Sequence, residues 1–244
     1  MISVCIATFN GEKYIKEQIE SILVQIASND EVIISDDNST DDTIKKIFSI
    51  QDDRIKVVNL KRKKKGLNNH MLVSSNFENA INHSKGDFVF LSDQDDIWAS
   101  DKVAEFMKYL GDYDLVNSDC CYIINDKIEL DTSQFKGKTP YRNLLITRPK
   151  YHGCCLAVTR KIIDVAVPFP RKLALHDGWL GLISENVGRI KFLDKRLTYY
   201  RIHNDSVSQV KKNHLFYQLT YRFNIYFALI GRLMSYKLKT IFHK

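Results

Sequence analysis

The first half of this chain alternates short apolar, β-rich runs with segments of helical spacing, and that alternation constrains the fold more than any other feature. Ile2 to Ala7 is an apolar run of the kind found in buried parallel strands, and Lys13 to Val24 follows with Tyr14, Ile15, Gln18, Ile19, Ile22 and Leu23 at helical spacing. Glu31 to Ser35 reads as a second strand. The cluster Ser39-Thr40-Asp41-Asp42 then offers oxygens and charge to a helix N-terminus ahead of Ile44 and Ile47. Ile55 to Leu60 is a third strand, a helix is expected over about 70–83, Asp87 to Leu91 is a fourth strand, and a helix over about 101–110 precedes a strand at Leu115 to Ile124. Such alternation builds βαβ units and a mainly parallel sheet, whose ligands bind at the carboxyl ends of the strands. The polar clusters Thr8-Phe9-Asn10, Asp36-Asp37-Asn38 and Asp93 to Asp96 all fall at those ends, on one rim. The second half is less regular. A turn is expected at Asn125-Asp126-Lys127, a loop over 136–150, strand-like runs at Cys154 to Val158 and Leu197 to Arg201, and a helix over His176 to Ser184.

With 244 residues, 44% hydrophobic and 27% charged, the chain is a soluble globular protein of one to two domains whose core needs no disulfides. The five cysteines (Cys5, Cys120, Cys121, Cys154 and Cys155) form no C-x-x-C pair and read as buried, reduced thiols. The net charge of +7 is uneven. Residues 1–205 carry 29 basic and 29 acidic groups, and after Asp205 there are seven Lys or Arg and no acid. No secretory signal is evident, and no window reaches the ~18–20 apolar residues of a membrane span. The run Lys61 to Lys65 reads as a solvated loop, with phosphate or lipid head groups as the alternative partner.

The motifs that are missing exclude other chemistries. No G-x-G-x-x-G follows the first strand, and there is no P-loop and no G-x-S-x-G elbow. The rim offers carboxylates instead. Asp93-x-Asp95-Asp96 packs charges that repel unless a cation sits among them, and Mg²⁺ or Mn²⁺ on oxygen ligands leaves room for a substrate diphosphate. The structural alternative is an acidic turn capping the helix near Asp101.

Three ordered motifs resemble the signatures of the family 2 glycosyltransferases: Ser3-Val4-Cys5-Ile6-Ala7-Thr8-Phe9-Asn10, Ser35-Asp36-Asp37-Asn38-Ser39-Thr40-Asp41, and Gly86 to Trp98 with Ser92-Asp93-Gln94-Asp95-Asp96-Ile97-Trp98 at its end. The Asn76-Phe77 pair and the Asp-Gln-Asp-Asp-Ile-Trp wording are most similar to the rhamnosyltransferase-like branch of bacterial surface-polysaccharide enzymes. The resemblance implies an α/β GT-A fold, Rossmann-like, with a mixed, mainly parallel sheet, flanking helices and an inverting, nucleotide-sugar-dependent reaction. It implies nucleotide-sugar contacts at Thr8, Phe9, Asn10, Asp37, Asn76, Asp93 and Gln94, and Mn²⁺ or Mg²⁺ at Asp95 and His203, with Asp95 and Asp96 interchangeable by one position. Asp177 matches the family's acidic residue below the acceptor and is the candidate base, the alternative being a cap on the helix of Trp179 to Ser184. Trp98, Gly153 and Trp179 are placed at the acceptor, although the two tryptophans suit a core equally well.

Residues 1–205 are expected to form the catalytic domain, with a nucleotide-sugar half at 1–110 and an acceptor half at 111–205, and 206–244 to form a basic helical tail. At ~100° per residue, Leu215, Phe216, Leu219, Phe223, Tyr226, Phe227, Ile230, Leu233, Met234 and Ile241 share one face of that tail. Such a helix fits a membrane surface through residues 211–244, or else packs on the body or on a second subunit as a homodimer. The partners that follow are a UDP- or dTDP-sugar and a glycan or undecaprenyl-diphosphate-linked acceptor, on the inner face of the cytoplasmic membrane, with no nucleic acid. A metal-dependent nucleotidyl or phosphoryl transferase, and a binding module with a degenerate site, are the competing readings.

Overall fold

The computed structural model describes residues 1–60, 67–124, 127–129, 151–171, 173–203 and 215–242, with side chains at all but 129, 215–219, 240 and 242. The expectations for Lys61 to Lys65, Asn125-Asp126, 136–150, 206–214 and Lys244 lie outside the described residues.

The chain runs β1 (Ile2–Thr8), α1 (Ile15–Leu23), β2 (Glu31–Asp36), α2 (Thr43–Phe48), β3 (Ile55–Asn59), α3 (Asn69–His83), β4 (Phe88–Asp93), β5 (Ile97–Trp98), α4 (Lys102–Met107), β6 (Leu115–Ile124) and β7 (Lys127–Glu129). A 3₁₀ turn (Gly153–Cys155) then leads into β8 (Leu156–Thr159), α5 (Arg160–Ala166), α6 (His176–Val187), β9 (Ile190–Ile202) and α7 (Leu215–Phe242). Among the described residues one sheet holds all nine strands, in the order β3-β2-β1-β4-β8-β6-β9-β5, with β7 on β6. The β1–β2, β2–β3, β1–β4 and β6–β9 pairs are parallel; β4–β8, β6–β8, β5–β9 and β6–β7 are antiparallel. This is the mixed sheet of the expected α/β fold.

The period-2 alternation of strand side chains divides the core into two layers. Val4 and Ile6 of β1, Val32 and Ile34 of β2 and Phe90 of β4 face Ile15, Ile19 and Ile22 of α1, Ile47 of α2 and Phe106 of α4. Cys5, Ile33, Val89 and Leu91 face Phe77 and Ala80 of α3, Ile162 and Ala166 of α5, and Trp179, Leu180 and Ile183 of α6. Ile225 and Leu229 of α7 belong to that second layer, so the helix shares the core of the residues before it. All five cysteines are buried free thiols, as expected.

Three elements differ from their expected form. β9 is 13 residues long and begins seven residues before Leu197, because parallel pairing with β6 carries strand geometry through the charged stretch Lys191 to Arg196. α5 is too short for its periodicity to register in the sequence; it forms where Ile162, Ile163, Val165 and Ala166 find apolar cover. Cys154 and Cys155 belong to the 3₁₀ turn, and the strand begins only at Leu156.

Candidate active site

The chain winds outward from β1 through β2 to β3, then returns to place β4 on the other side of β1. The carboxyl ends of β1 and β4 therefore flank a crevice at the point where the strand order reverses. Thr8 ends β1 and Asp93 ends β4.

Gln94 ties the two ends together. Its Oε1 accepts hydrogen bonds from Thr8 Oγ1 at 2.6 Å and from the Phe9 amide at 2.9 Å, and its Nε2 donates to the Phe9 carbonyl at 3.1 Å. Asn76 Nδ2 donates to the Thr8 carbonyl at 3.0 Å, and the Asp37 amide donates to the same oxygen at 2.9 Å. Asn10 sits in the left-handed region at φ 49°, which asparagine tolerates better than most residues. Its side-chain Oδ1 accepts the Thr40 amide at 2.8 Å, and its amide donates to Ser39 Oγ at 2.9 Å. Thr8, Asn10, Asn76 and Gln94 thus fix the shape of the rim, while Phe9 stands exposed upon it and Asp37 is buried beneath it. The Ser39 to Asp42 cluster serves α2 differently from the expected cap. Asp42 holds the N-cap position without a side-chain bond, and Asp41 Oδ1 accepts the Thr43 amide at 3.1 Å.

The acidic loop after β4 separates its carboxylates by role. Asp95 Oδ2 lies 2.7 Å from His203 Nε2, which brings together the two residues expected to hold a metal. Asp96 turns inward and is buried; one oxygen accepts the Arg201 amide at 3.1 Å, and Oδ2 has no hydrogen-bond partner among the described residues. Burial, and then the charges of Asp95 and Asp177, push the Asp93 carboxyl up to about 8. Burial and the neighbouring Asp95 and Asp93 likewise raise Asp96 well above the usual carboxylate range. Donor atoms of Asp93, Asp96 and Cys154 lie within 4.8 Å of one another. Two carboxylates raised by burial and by neighbouring carboxylates, one with a buried oxygen unpaired among the described residues, fit a divalent cation. The acidic turn does not cap α4, since Asp101 holds the N-cap position without a side-chain bond.

Asp177 lies in the first turn of α6, where its Oδ1 accepts the Gly178 amide at 2.7 Å. Leu175, not Asp177, is the N-cap residue. The charge of Asp177 contributes to raising the Asp93 carboxyl, after burial and Asp95.

Trp98 and Trp179 do not stand at an acceptor site. They are 3% and 1% exposed: Trp98 packs on Phe90, with ring centroids 5.6 Å apart, and Trp179 donates from Nε1 to the Ala166 carbonyl at 3.0 Å. Indoles buried on both faces offer no surface to a sugar, so their single-residue placement at the acceptor is corrected to core. Gly153 is also buried, and a Cβ there would meet His176 Nε2 at 2.8 Å, so its smallness admits the histidine.

Three residues near the cluster carried no expected role. Lys102 is a buried cation. Its Nζ donates to the Cys154 carbonyl at 2.6 Å and to Thr198 Oγ1 at 2.8 Å, and it lies 4.3 Å from the Trp98 ring centroid. Burial lowers its pKa, with the nearby thiols and Asp96 opposing. Arg201 latches the acidic loop, donating from Nε to the Asp95 carbonyl at 3.0 Å and from Nη2 to Glu17 at 2.9 Å. His176 stacks on Phe77 at 4.2 Å, its Nε2 has no partner among the described residues, and burial holds it below the usual histidine range. The only trace of Lys102 in the sequence is its place four residues after Trp98, and Arg201 and His176 adjoin motif residues without a pattern of their own.

A parallel half-sheet extended by antiparallel strands, with an acid cluster at the end of β4, is the arrangement of the GT-A fold. The chain belongs to glycosyl transferase family 2, whose profile matches residues 3–165. It is 31% identical over 231 residues, 89% of this chain and 84% of the relative, to the Escherichia coli UDP-Glc:alpha-D-GlcNAc-diphosphoundecaprenol beta-1,3-glucosyltransferase WfaP. It is 28% identical to the Campylobacter jejuni GalNAc(5)-diNAcBac-PP-undecaprenol beta-1,3-glucosyltransferase over 85% of this chain and 67% of that one. A 32% match to the Shigella flexneri dTDP-rhamnosyl transferase RfbG covers 49% of this chain and 40% of that one. Among solved structures, S. aureus TarS with UDP-GlcNAc superposes with a TM-score of 0.67 at 23% identity over 86% of this chain. The match spans 61% of the TarS chain. Glucosyl-3-phosphoglycerate synthase from Mycobacterium tuberculosis, with Mn²⁺ and UDP, gives a TM-score of 0.57 at 19% identity over 95% of this chain and 78% of that one. Family membership decides for glycosyl transfer over phosphoryl transfer.

Proposed function

We propose that this chain transfers a hexosyl group, with inversion, from a UDP- or dTDP-sugar to a hydroxyl of an undecaprenyl-diphosphate-linked acceptor, in a divalent-cation-dependent reaction of surface-polysaccharide assembly. The observation that carries the reading is the Asp93–Asp95–Asp96 loop at the carboxyl end of β4, with His203 brought to 2.7 Å from Asp95. Two relatives support it: both are beta-1,3-glucosyltransferases with undecaprenol-diphosphate acceptors, and the Escherichia coli enzyme takes its glucose from UDP-Glc.

In this reading the β1 exit, held by Gln94 and Asn76, receives the nucleotide along Thr8, Phe9 and Asn10, with Asp37 accepting from a pyrimidine imide. Asp93, Asp95 and His203, with Asp96 behind them, would hold Mn²⁺ or Mg²⁺, which when bound offsets the charge on the departing diphosphate. One oxygen of Asp177 is held by the Gly178 amide, and the other takes the proton of the acceptor hydroxyl. As the acceptor oxygen bonds to the anomeric carbon, the bond from carbon to the diphosphate oxygen breaks and its electron pair leaves with the nucleotide.

The test is a donor screen with Mn²⁺ or Mg²⁺ and a lipid-diphosphate acceptor, scoring released UDP or dTDP, with UDP-glucose first. Asp177→Asn is expected to lower kcat by about 10²–10⁴-fold with donor affinity kept. Unchanged turnover in that variant would remove Asp177 as the base, and no release from any nucleotide sugar would remove the function.

A further inference from the structure

The helix α7 has two faces of opposite character. One packs on the body: Ile225 and Leu229 enter the core beside α5 and α6, and Arg232 donates to the carbonyls of Val165 (3.1 Å), Val167 (2.7 Å) and Pro168 (2.5 Å) at the end of α5. On the same side, Tyr221 Oη accepts the amides of Ala174 and Leu175 at 3.1 and 3.2 Å, immediately before the α6 turn that carries Asp177. The other face is exposed and apolar. Phe223, Tyr226, Phe227, Ile230, Met234, Leu238 and Ile241 stand in solvent, Phe227 at 66% and Met234 at 62%. At ~100° per residue these seven fall within an arc of about 120°, with Lys237 inside it near one edge, Arg222 just beyond that edge and Lys239 beyond the other. A soluble protein rarely leaves so continuous an apolar stripe uncovered.

We propose that this face of α7 docks on an anionic lipid bilayer, and that the helix is tied through Tyr221 to the turn bearing Asp177, so that docking sets the active site at a fixed height above the lipid head groups. The proposal deepens the lipid-linked-acceptor reading and rests on it. Charge complementarity selects the occupant. The chain has no acidic residue after Asp205, and Arg222, Lys237 and Lys239 lie on or beside the stripe, so the charge around it is of one sign, which attracts phosphatidylglycerol-type lipid and would set two copies of the helix against each other. No helix among the described residues is long and apolar enough to cross a membrane, so α7 would lie in the interface plane. The helix is also firmly seated by its other face, and presents the stripe without first unfolding from the body.

The full chain is sedimented with vesicles of phosphatidylcholine alone or of phosphatidylcholine mixed with phosphatidylglycerol. The wild type is expected to pellet with the mixed vesicles and to be released by salt. The double variant Phe227→Glu/Met234→Glu changes only exposed positions. It is expected to keep the wild-type Tm and its turnover of a short-chain, water-soluble acceptor, and to lose vesicle binding by ~10-fold or more. The proposal is overturned by a wild type that stays in the supernatant, by a variant that pellets equally, or by a wild-type dimer that the variant dissolves without any vesicle binding, which would make a second copy the occupant. Absent turnover of the soluble acceptor in the wild type, with vesicle binding intact, would instead count against the transferase reading.

Discussion

Asp93 shows how much one residue depends on its neighbours. Burial and two adjacent carboxylates carry its pKa from an ordinary 3.8 to about 8. Between those values the folded chain holds a proton that the unfolded chain has lost, so the stability contributed by this group falls as pH rises through the window and is fully gone above about 8. A divalent cation relieves the ionised form only. We therefore expect the gain in Tm on adding Mn²⁺ to be larger at about pH 8 than at about pH 6. Scanning fluorimetry at the two pH values measures it, and equal gains would show that Asp93 does not face the ion. Asp93 and Asp95 were visible because acids at a strand end have no structural need to be there, whereas Asp177 and His203 were singled out by the family resemblance. Lys102 was invisible, since a lysine four residues after a tryptophan in a helical pattern looks like a solvated surface group. Only the turn at Gly153–Cys155 brings the Cys154 carbonyl over its ammonium.

At the scale of elements, the N-terminus of α6 is completed from elsewhere. Leu175 caps it without a side-chain bond, and the amides of Ala174 and Leu175 are satisfied by the Tyr221 hydroxyl of α7. Tyr221→Phe leaves two part-buried donors unpaired, at a cost of about 1–3 kcal/mol. Because Asp177 lies two residues beyond Leu175, the variant should lower kcat while leaving donor Kd unchanged. Steady-state kinetics with an independent donor titration tests this, and a change in donor Kd with kcat intact would contradict it. Most elements of the first half were legible to within a few residues, because strands buried on both faces and helices with a single apolar stripe leave different periods in a sequence. β9 was legible only at Leu197 to Arg201, since the charged residues before it become strand by pairing with β6.

For the whole molecule, α7 decides how far the folded unit extends. The tail is charged like a separate segment, yet Ile225 and Leu229 lie in the same apolar layer as Trp179 and Ile183. Leu229→Ala should therefore lower global stability by about 2–4 kcal/mol, whereas Met234→Ala on the exposed face should change it by less than about 0.5 kcal/mol. Urea unfolding of the two variants decides, and equal costs would mean that α7 does not fold with the body.

The sequence by itself determined the strand–helix alternation, the parallel half-sheet and the placing of three polar clusters on one rim, because these follow from local period and from the chain direction of βαβ units. It also determined that the positive charge collects after Asp205. Only the tertiary structure decided that Asp95 meets His203 across more than a hundred residues while Asp96 turns inward, and that the two tryptophans are core. It also decided that α7 turns one apolar face to the protein and another outward. Each of these depends on which distant surface a side chain meets, and a period along the chain records that a face is apolar without recording what covers it.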